Sequence, residues 1–238
     1  MSILLVTGTD TGIGKTVVST ALAAALAGRG RRVAVMKPAE TGCRPDPEDA
    51  LALAAAAQDV APLTDVCPHQ LPEPLAPMLA AERAGVVIDV DALVARARAR
   101  AAAVDVLLVE GAGGLLVPLA NGVTFADLAQ RLAARVIVVV GSRLGAINHA
   151  LLTFEALAQR HLPIAGYVVN RLGDGDVAIA TNESLLAALT DVPRLGILPW
   201  LGDEAAALLA ALRTGGEAAA HARTRLAALG SALALDVL

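Results

Sequence analysis

Aromatic side chains make up only 2% of this 238-residue chain: one tryptophan, one tyrosine and two phenylalanines. Its core must therefore be filled by small and branched aliphatic groups, and alanine alone supplies about a fifth of the residues. Cysteine is almost as scarce. Cys43 and Cys67 are too few for a disulfide framework and lack CxxC metal spacing, so both are read as free thiols in a reducing cytoplasm. Apolar runs such as Val136 to Val140 stop at strand length, far short of the ~20 residues that cross a bilayer. No basic segment leads into a long apolar stretch at the N-terminus, so no secretory signal is expected and no membrane partner either. A net charge of −4 leaves no broad basic surface, which argues against nucleic acid as the main partner. Among the charged residues lysine is rarest. Only Lys15 and Lys37 occur, and the other 17 basic residues are arginine. A compact ammonium and a planar guanidinium differ in size and hydrogen-bond geometry, so the two retained lysines mark positions where a point charge is needed.

What is present is an alternation. Apolar, β-branched runs at 3–7, 32–37, 104–110, 135–140, 164–170 and 194–198 read as strands, several nearly continuous as in parallel sheets buried on both faces. Alanine-rich segments of helical period lie between them at 15–27, 49–58, 89–103, 124–134, 147–161 and 177–189, with one or two more after Asp203. The order predicts an α/β fold, a mostly parallel sheet with helices on both faces, and the glycine-rich Gly8–Thr16 turn closing on Gly-Lys-Thr between the first strand and first helix makes it one P-loop NTPase-like domain over residues 1–238. Residues 62–77 carry five prolines and read as a loop excursion, a lid or an edge of a substrate site. Arg96, Arg98 and Arg100 alternate with alanine and read as a solvated helix face.

Gly8-Thr9-Asp10-Thr11-Gly12-Ile13-Gly14-Lys15-Thr16 follows the first strand and opens the first helix. It is glycine-rich and closes on Gly-Lys-Thr, the P-loop signature. Gly8, Gly12 and Gly14 let successive backbone N–H groups turn toward one anion, and the helix start adds its positive dipole end. Lys15 would reach the β- and γ-phosphates while the Thr16 hydroxyl ligates Mg²⁺. Glu110 leaves the carboxyl end of its strand and is followed by Gly111-Ala112-Gly113-Gly114. Ligands collect at such strand ends in open parallel sheets, so Glu110 can face the same metal; it can equally be a solvated strand-end acid.

The segments Gly8–Thr16, Lys37-Pro38-Ala39-Glu40-Thr41-Gly42 and Val109-Glu110-Gly111-Ala112-Gly113-Gly114 together resemble the dethiobiotin synthetase family. Asp49-Ala50-Leu51-Ala52-Leu53, Gly145-Ala146-Ile147-Asn148-His149 and Leu198-Pro199-Trp200 extend the resemblance from residue 3 to about 201. It implies an ATP-dependent carboxylase acting on 7,8-diaminononanoate with CO₂ and no biotin. One amine takes up CO₂ as a carbamate, ATP phosphorylates it to a carbamic-phosphoric anhydride, and the second amine closes the cyclic urea. By this resemblance Lys37, with Lys15, holds the carbamate and the transferring phosphoryl, and Thr16, Asp49 and Glu110 ligate Mg²⁺. ATP would lie along Gly12, Ile13, Gly14, Lys15, Thr16 and Val17, with Asp49, Glu110, Gly111, Ala112 and Gly113 beside the phosphates. Its base would meet Asn170, Arg171, Pro199, Trp200 and Leu201. Thr11 and Thr41 would contact the diamine end. Gly145, Ala146, Ile147 and Asn148 would bind the substrate's carboxylate tail from the second subunit of a homodimer.

Some family members carry an acid where this chain has Gly12. Glu40 could substitute for it or simply balance charge. Structural readings stand beside several of these roles: Asp49 as a first-turn or capping acid, Asn170 as a turn residue, His149 as a packing residue and Trp200 as core. Two other functions share the expected fold. A cobyrinate-type amide synthetase usually needs a glutamine-hydrolysing domain for which 238 residues leave no room. A partition or septum-positioning ATPase typically has an extra lysine early in its P-loop, where this chain reads Thr9-Asp10-Thr11.

Overall fold

A computed structural model describes residues 2–174 and 177–238. The chain begins β1 (Ser2–Gly8), α1 (Lys15–Gly28), β2 (Val33–Met36), β3 (Ala39–Thr41) and α2 (Glu48–Ala57). It continues α3 (Leu63–Val66), β4 (His69–Leu71), α4 (Pro77–Ala84), α5 (Val90–Ala102) and β5 (Val106–Gly114). After the small strands β6 (Pro118–Ala120) and β7 (Val123–Thr124) come α6 (Phe125–Leu132), β8 (Arg135–Ser142), α7 (Ala146–Gln159) and β9 (Ile164–Arg171). The last elements are α8 (Val177–Leu189), β10 (Arg194–Leu198), α9 (Asp203–Thr214) and α10 (Gly216–Ser231).

Six strands form one parallel sheet in the order β10-β9-β8-β1-β5-β2. Because successive residues of a strand face opposite sides, β1 sends Leu4 and Val6 into one core and Leu5 into the other. The first core is roofed by α1, α2, α9 and α10, the second by α4 to α8. Both cores are aliphatic, as the shortage of rings requires; Tyr167 and Phe125 are the largest fully buried side chains. No described helix is long and apolar enough to cross a membrane.

The strands run further at their carboxyl ends than the sequence suggests. β5 continues past Glu110 to Gly114, which pairs with Gly8. The loop 62–77 is corrected more substantially. It holds α3 and β4, with Pro62 capping the one and Pro77 opening α4, positions where a missing N–H costs nothing. It is no lid: Val66 O accepts the Lys37 N–H at 2.7 Å, Leu71 O the Cys43 N–H at 3.0 Å, and β4 pairs with β3. The segment thus underpins the turn that follows β2. The arginines of α5 are not a free solvated face either. Arg96 pairs with Asp65, Arg98 donates to Arg131 O at 2.7 Å, and Arg100 forms a nearly buried pair with Asp59. At the edge strand β2, Asp59 accepts the Val35 N–H at 2.9 Å and Arg100 donates to Val35 O at 3.0 Å. The ion pair takes both ladder positions a further strand would use, which closes this edge.

Helix α1 is buried almost along its whole length because α10 packs on its outer side. The approach is so close that a Cβ on Gly230 would stand 2.1 Å from Ala21 O. Gly230→Ala should therefore destabilise by about 2 kcal/mol or more through overpacking, lowering the thermal midpoint by roughly 4–8 °C. Gly28→Ala, where an added Cβ meets nothing within 4 Å, should leave the midpoint unchanged or raise it in the same scan.

Candidate functional site

The carboxyl ends of the adjoining strands β1, β5 and β2 deliver the P-loop, Glu110 and Lys37 to one place. In the P-loop, five residues separate Gly8 from Gly14, one more than the four of the common pattern. The turn absorbs the difference with left-handed backbone at Gly12 (φ 72°) and Gly14 (φ 82°), conformations that glycine adopts without Cβ strain. Gly14 has a second reason to lack a side chain: a Cβ there would stand 2.2 Å from Asn170 Nδ2. That amide donates to Ile13 O at 2.8 Å. One N–H of its NH₂ is thereby committed to the loop, and its carbonyl oxygen is left as an acceptor.

A cavity of about 410 Å³ lies over this turn. The P-loop residues Thr11, Gly12, Gly14, Lys15, Thr16 and Val17 form its floor. Lys37, Glu40, Thr41 and Asp49 line one wall, Glu110 and Gly111 to Gly113 the other, with Leu209 of α9 at the rim. Residues that lie far apart in sequence thus meet here. A larger groove of about 580 Å³ between α4 and β6 is lined mainly by apolar side chains, Glu82 being the only ionisable residue on its wall.

Lys37 is 4% exposed and its ammonium donates to Asp49 Oδ2 at 2.5 Å and to Glu110 Oε1 at 2.6 Å. Burial alone would drive this lysine toward its neutral form; Glu110, Asp49 and Glu40 outweigh that and raise its pKa above the ordinary lysine range. Lys15 donates to Asp10 O at 3.1 Å and shows the opposite balance. Burial lowers its pKa, Glu110 only partly offsets that, and the charge of Lys37 adds to the depression. For Asp49, burial works against ionisation, but Lys37 overrides it and holds the carboxyl below its usual value. Glu40 is pushed up to about 7 by burial, against the pull of Lys37, with Asp49 adding to the rise.

A divalent cation fits this donor set. Glu110 is 1% exposed, its Oε1 accepts from the Thr16 hydroxyl at 3.0 Å, and its buried Oε2 has no hydrogen-bond partner among the described residues. An anionic oxygen left unpaired in a buried site is expensive unless an electrophile takes it up. Two carboxylates and a hydroxyl are nevertheless too few for a cage built by protein alone, and no group of three or more His, Cys, Asp or Glu that could by itself hold a metal ion occurs among the described residues. That suits an ion which keeps waters and takes phosphate oxygens as further ligands, as Mg²⁺ does.

Other predicted residues lie outside this cavity. Asn170 abuts it through Gly14, while Arg171 donates to Glu183 at 2.7 Å. Pro199, Trp200 and Leu201 follow β10; Trp200 is 44% exposed, which removes it from the core, and Leu201 packs on the first core. Gly145 (φ 91°) precedes α7, where Ala146 is buried and Asn148 and His149 are exposed; within one chain this turn does not line the cavity of Lys37. His149 is a rim residue of a groove of about 230 Å³ behind the P-loop, not a packed one. The exposed side chains of Leu116 and Leu152 line that groove, and Leu144, just before α7, is exposed as well. Arg143 pairs with Asp10, joining the turn before α7 to the P-loop. Sequence reasoning missed that pair and Leu209, since neither belongs to a motif.

A family described as an AAA domain matches residues 2–207. The ATP-dependent dethiobiotin synthetase of Anaeromyxobacter dehalogenans is 46% identical over 202 residues, 84% of this chain and 91% of that protein. The synthetase of Nitrosospira multiformis is 42% identical, covering 82% and 87%. Among solved structures, a ParA family ATPase from Chlorobium tepidum superposes with a TM-score of 0.60 at 14% identity, covering 96% of each chain. The septum site-determining protein MinD from Pyrococcus horikoshii, complexed with Mg-ADP, gives 0.60 at 18% identity, covering 95% and 94%. At such identities the two ATPases share the fold of this chain and nothing more.

The paired state of Lys37 generates a stability prediction. Lys37→Met strands the buried Glu110 carboxylate and should cost about 3 kcal/mol, read by urea unfolding without nucleotide or metal. Adding Glu110→Gln should recover at least about half of that loss; equal stability of the single variant and wild type would show that the pair is energetically idle.

Proposed function

The chain belongs to the dethiobiotin synthetase family, and from that premise we propose that its P-loop cavity carboxylates and cyclises a vicinal diamine, 7,8-diaminononanoate, at the expense of ATP. It is an ATP-dependent, C–N bond-forming ligase of biotin biosynthesis. The observation that carries the reading is the identity shared with the synthetases over most of both chains. The geometry that supports the residue roles is the placement of Lys37, away from the P-loop in sequence, in one cavity with Lys15.

The chemistry follows from charge. An amine adds to CO₂ and loses a proton, giving a carbamate, a poor acylating agent while its leaving group is an oxyanion. A carbamate oxygen attacks the γ-phosphorus and ADP departs. The second amine then attacks the carbamoyl carbon, loses its proton and expels phosphate, closing the urea ring. Phosphoryl transfer asks mainly for positioning and charge neutralisation. Lys15 and the N–H groups at the start of α1 would cradle the β- and γ-phosphates. Lys37 would hold the carbamate against the γ-phosphoryl, exchanging its carboxylate partners for the reacting oxygens. Mg²⁺, held by Thr16, Asp49 and Glu110, would neutralise charge on the phosphate oxygens. Gly111 to Gly113 line the same cavity, where their amides would approach phosphate oxygens, and the Thr11 and Thr41 hydroxyls would contact the diamine.

The Asn170 carbonyl, left as an acceptor by the Ile13 contact, suits the exocyclic amine of adenine and disfavours the O6 acceptor of guanine. Pro199, Trp200 and Leu201 would line the base beside Arg171. The α7 N-terminus at Gly145 to Asn148 suits a carboxylate tail. Because it lies outside its own chain's cavity, it would serve a second copy in a homodimer joined over the exposed leucines around the P-loop groove. All residues would then act as one domain, in a cytoplasm that keeps Cys43 and Cys67 as the free thiols they are here.

Turnover of ATP should require both the diamine and bicarbonate, measured as phosphate release. Lys37→Arg should lower kcat about 100-fold or more while leaving the Kd for ADP within about threefold, since a planar fork cannot replace a point charge. An unchanged kcat would remove Lys37 from the mechanism. Gly145→Pro, which cannot hold φ 91°, should raise the KM for the diamine about tenfold and that for ATP by less than about twofold. A rise for ATP alone would place the tail site elsewhere.

A further inference from the structure

Glu40 sits on β3, three residues after Lys37, and is 7% exposed. It neither replaces the acid missing at Gly12 nor points free oxygens at a metal. Its Oε1 accepts the Asp49 N–H at 2.9 Å and its Oε2 accepts the Ala50 N–H at 2.9 Å. Those N–H groups belong to the first turn of α2, where an intrahelical partner does not exist. The residue before α2 is Pro47, which offers no capping side chain. A carboxylate from nine residues upstream therefore does what a serine or aspartate cap does locally.

This arrangement is costly in charge. Glu40 places a second buried carboxylate beside Glu110 and the part-exposed Asp49, with Lys37 and Lys15 in the same cavity to balance them. Two backbone donors side by side are matched by a group with two acceptors. A glutamine would turn an NH₂ toward one of them. The geometry points to Glu40 as a positioning residue that fixes the start of α2 so that the Asp49 carboxylate meets the cation site shared with Thr16 and Glu110. The inference rests on Asp49 being a metal ligand, as read above, and assigns Glu40 no contact with the metal itself.

Outer partners that orient metal ligands typically contribute 10- to 100-fold to metal affinity. The test measures ADP binding by calorimetry in Mg²⁺ and in EDTA, together with the Mg²⁺ dependence of turnover, for wild type, Glu40→Gln, Glu40→Asp and Asp49→Ala. Glu40→Gln should raise half-saturating Mg²⁺ about tenfold, with ADP affinity in EDTA within about twofold of wild type and turnover largely recovered by excess Mg²⁺. Glu40→Asp keeps the charge but cannot span both N–H groups, so it should behave like Glu40→Gln rather than like wild type. An unchanged Mg²⁺ requirement in both Glu40 variants overturns the proposal. So does an equal loss of ADP binding with and without metal, which would mark Glu40 as a support of the fold alone. If Asp49→Ala itself leaves Mg²⁺-dependent binding intact, the ligand reading fails; if Asp49→Ala abolishes it and the Glu40 variants do not, only the positioning role fails.

Discussion

A lysine can stay charged inside a protein only if anions go in with it. Around Lys37 that requirement organises several elements. β2 must end level with Val109, so that Glu110 lies within reach; α2 must begin where Asp49 can touch the same ammonium; and the turn between them needs the floor that α3 and β4 supply. The P-loop brings Lys15 into the same field, where burial lowers its pKa, Glu110 only partly offsets that, and the charge of Lys37 adds to the depression. Two cations and three carboxylates gathered around one cavity, all but Asp49 largely buried, form an electrostatic assembly ready for an anionic guest, because a phosphate can take over charge balance that the acids now supply.

The fold and the cavity divide the functional argument between them. Parallel sheets of this shape serve partition ATPases and ligases alike, so architecture leaves the chemistry open. What separates the possibilities lies in a few side chains. Here the segment Thr9-Asp10-Thr11 carries no lysine, and the second ammonium enters from β2, on the same side as the acids. In the proposed reaction a charge from that direction would face the terminal phosphoryl and whatever attacks it, which is the arrangement a group-transfer enzyme needs.

The strands were legible because each is buried on both faces and so reads as an unbroken apolar run; β8, with Val136 to Val140, is the clearest. The meeting of Thr16 and Glu110 was legible from motifs, since the P-loop and strand-end acids have recurring geometry, whereas Lys37 and Asp49 were placed beside them only by the family resemblance. Glu40 was not, because a helix cap borrowed from nine residues away leaves no local pattern at Pro47. The Arg100–Asp59 pair escaped for a similar reason. An arginine spaced among alanines looks solvated until a partner 41 residues distant places it against the sheet edge. Proline density misled in the opposite sense at 62–77, where each ring occupies a position that short helices and strands tolerate.

Helix α10 lies wholly beyond the region that matches the AAA domain family. Yet Gly230 lets it settle directly on the backbone of α1 at Ala21, two turns below Lys15. The least distinctive part of the sequence is thus the outer wall of the helix whose tip faces the phosphates. Removing it would uncover α1 at Ala21 and Ala25, and a helix losing its apolar packing would loosen the loop it anchors. For anyone shortening this protein, the motif-poor terminus is as much a part of the nucleotide cradle as the glycines.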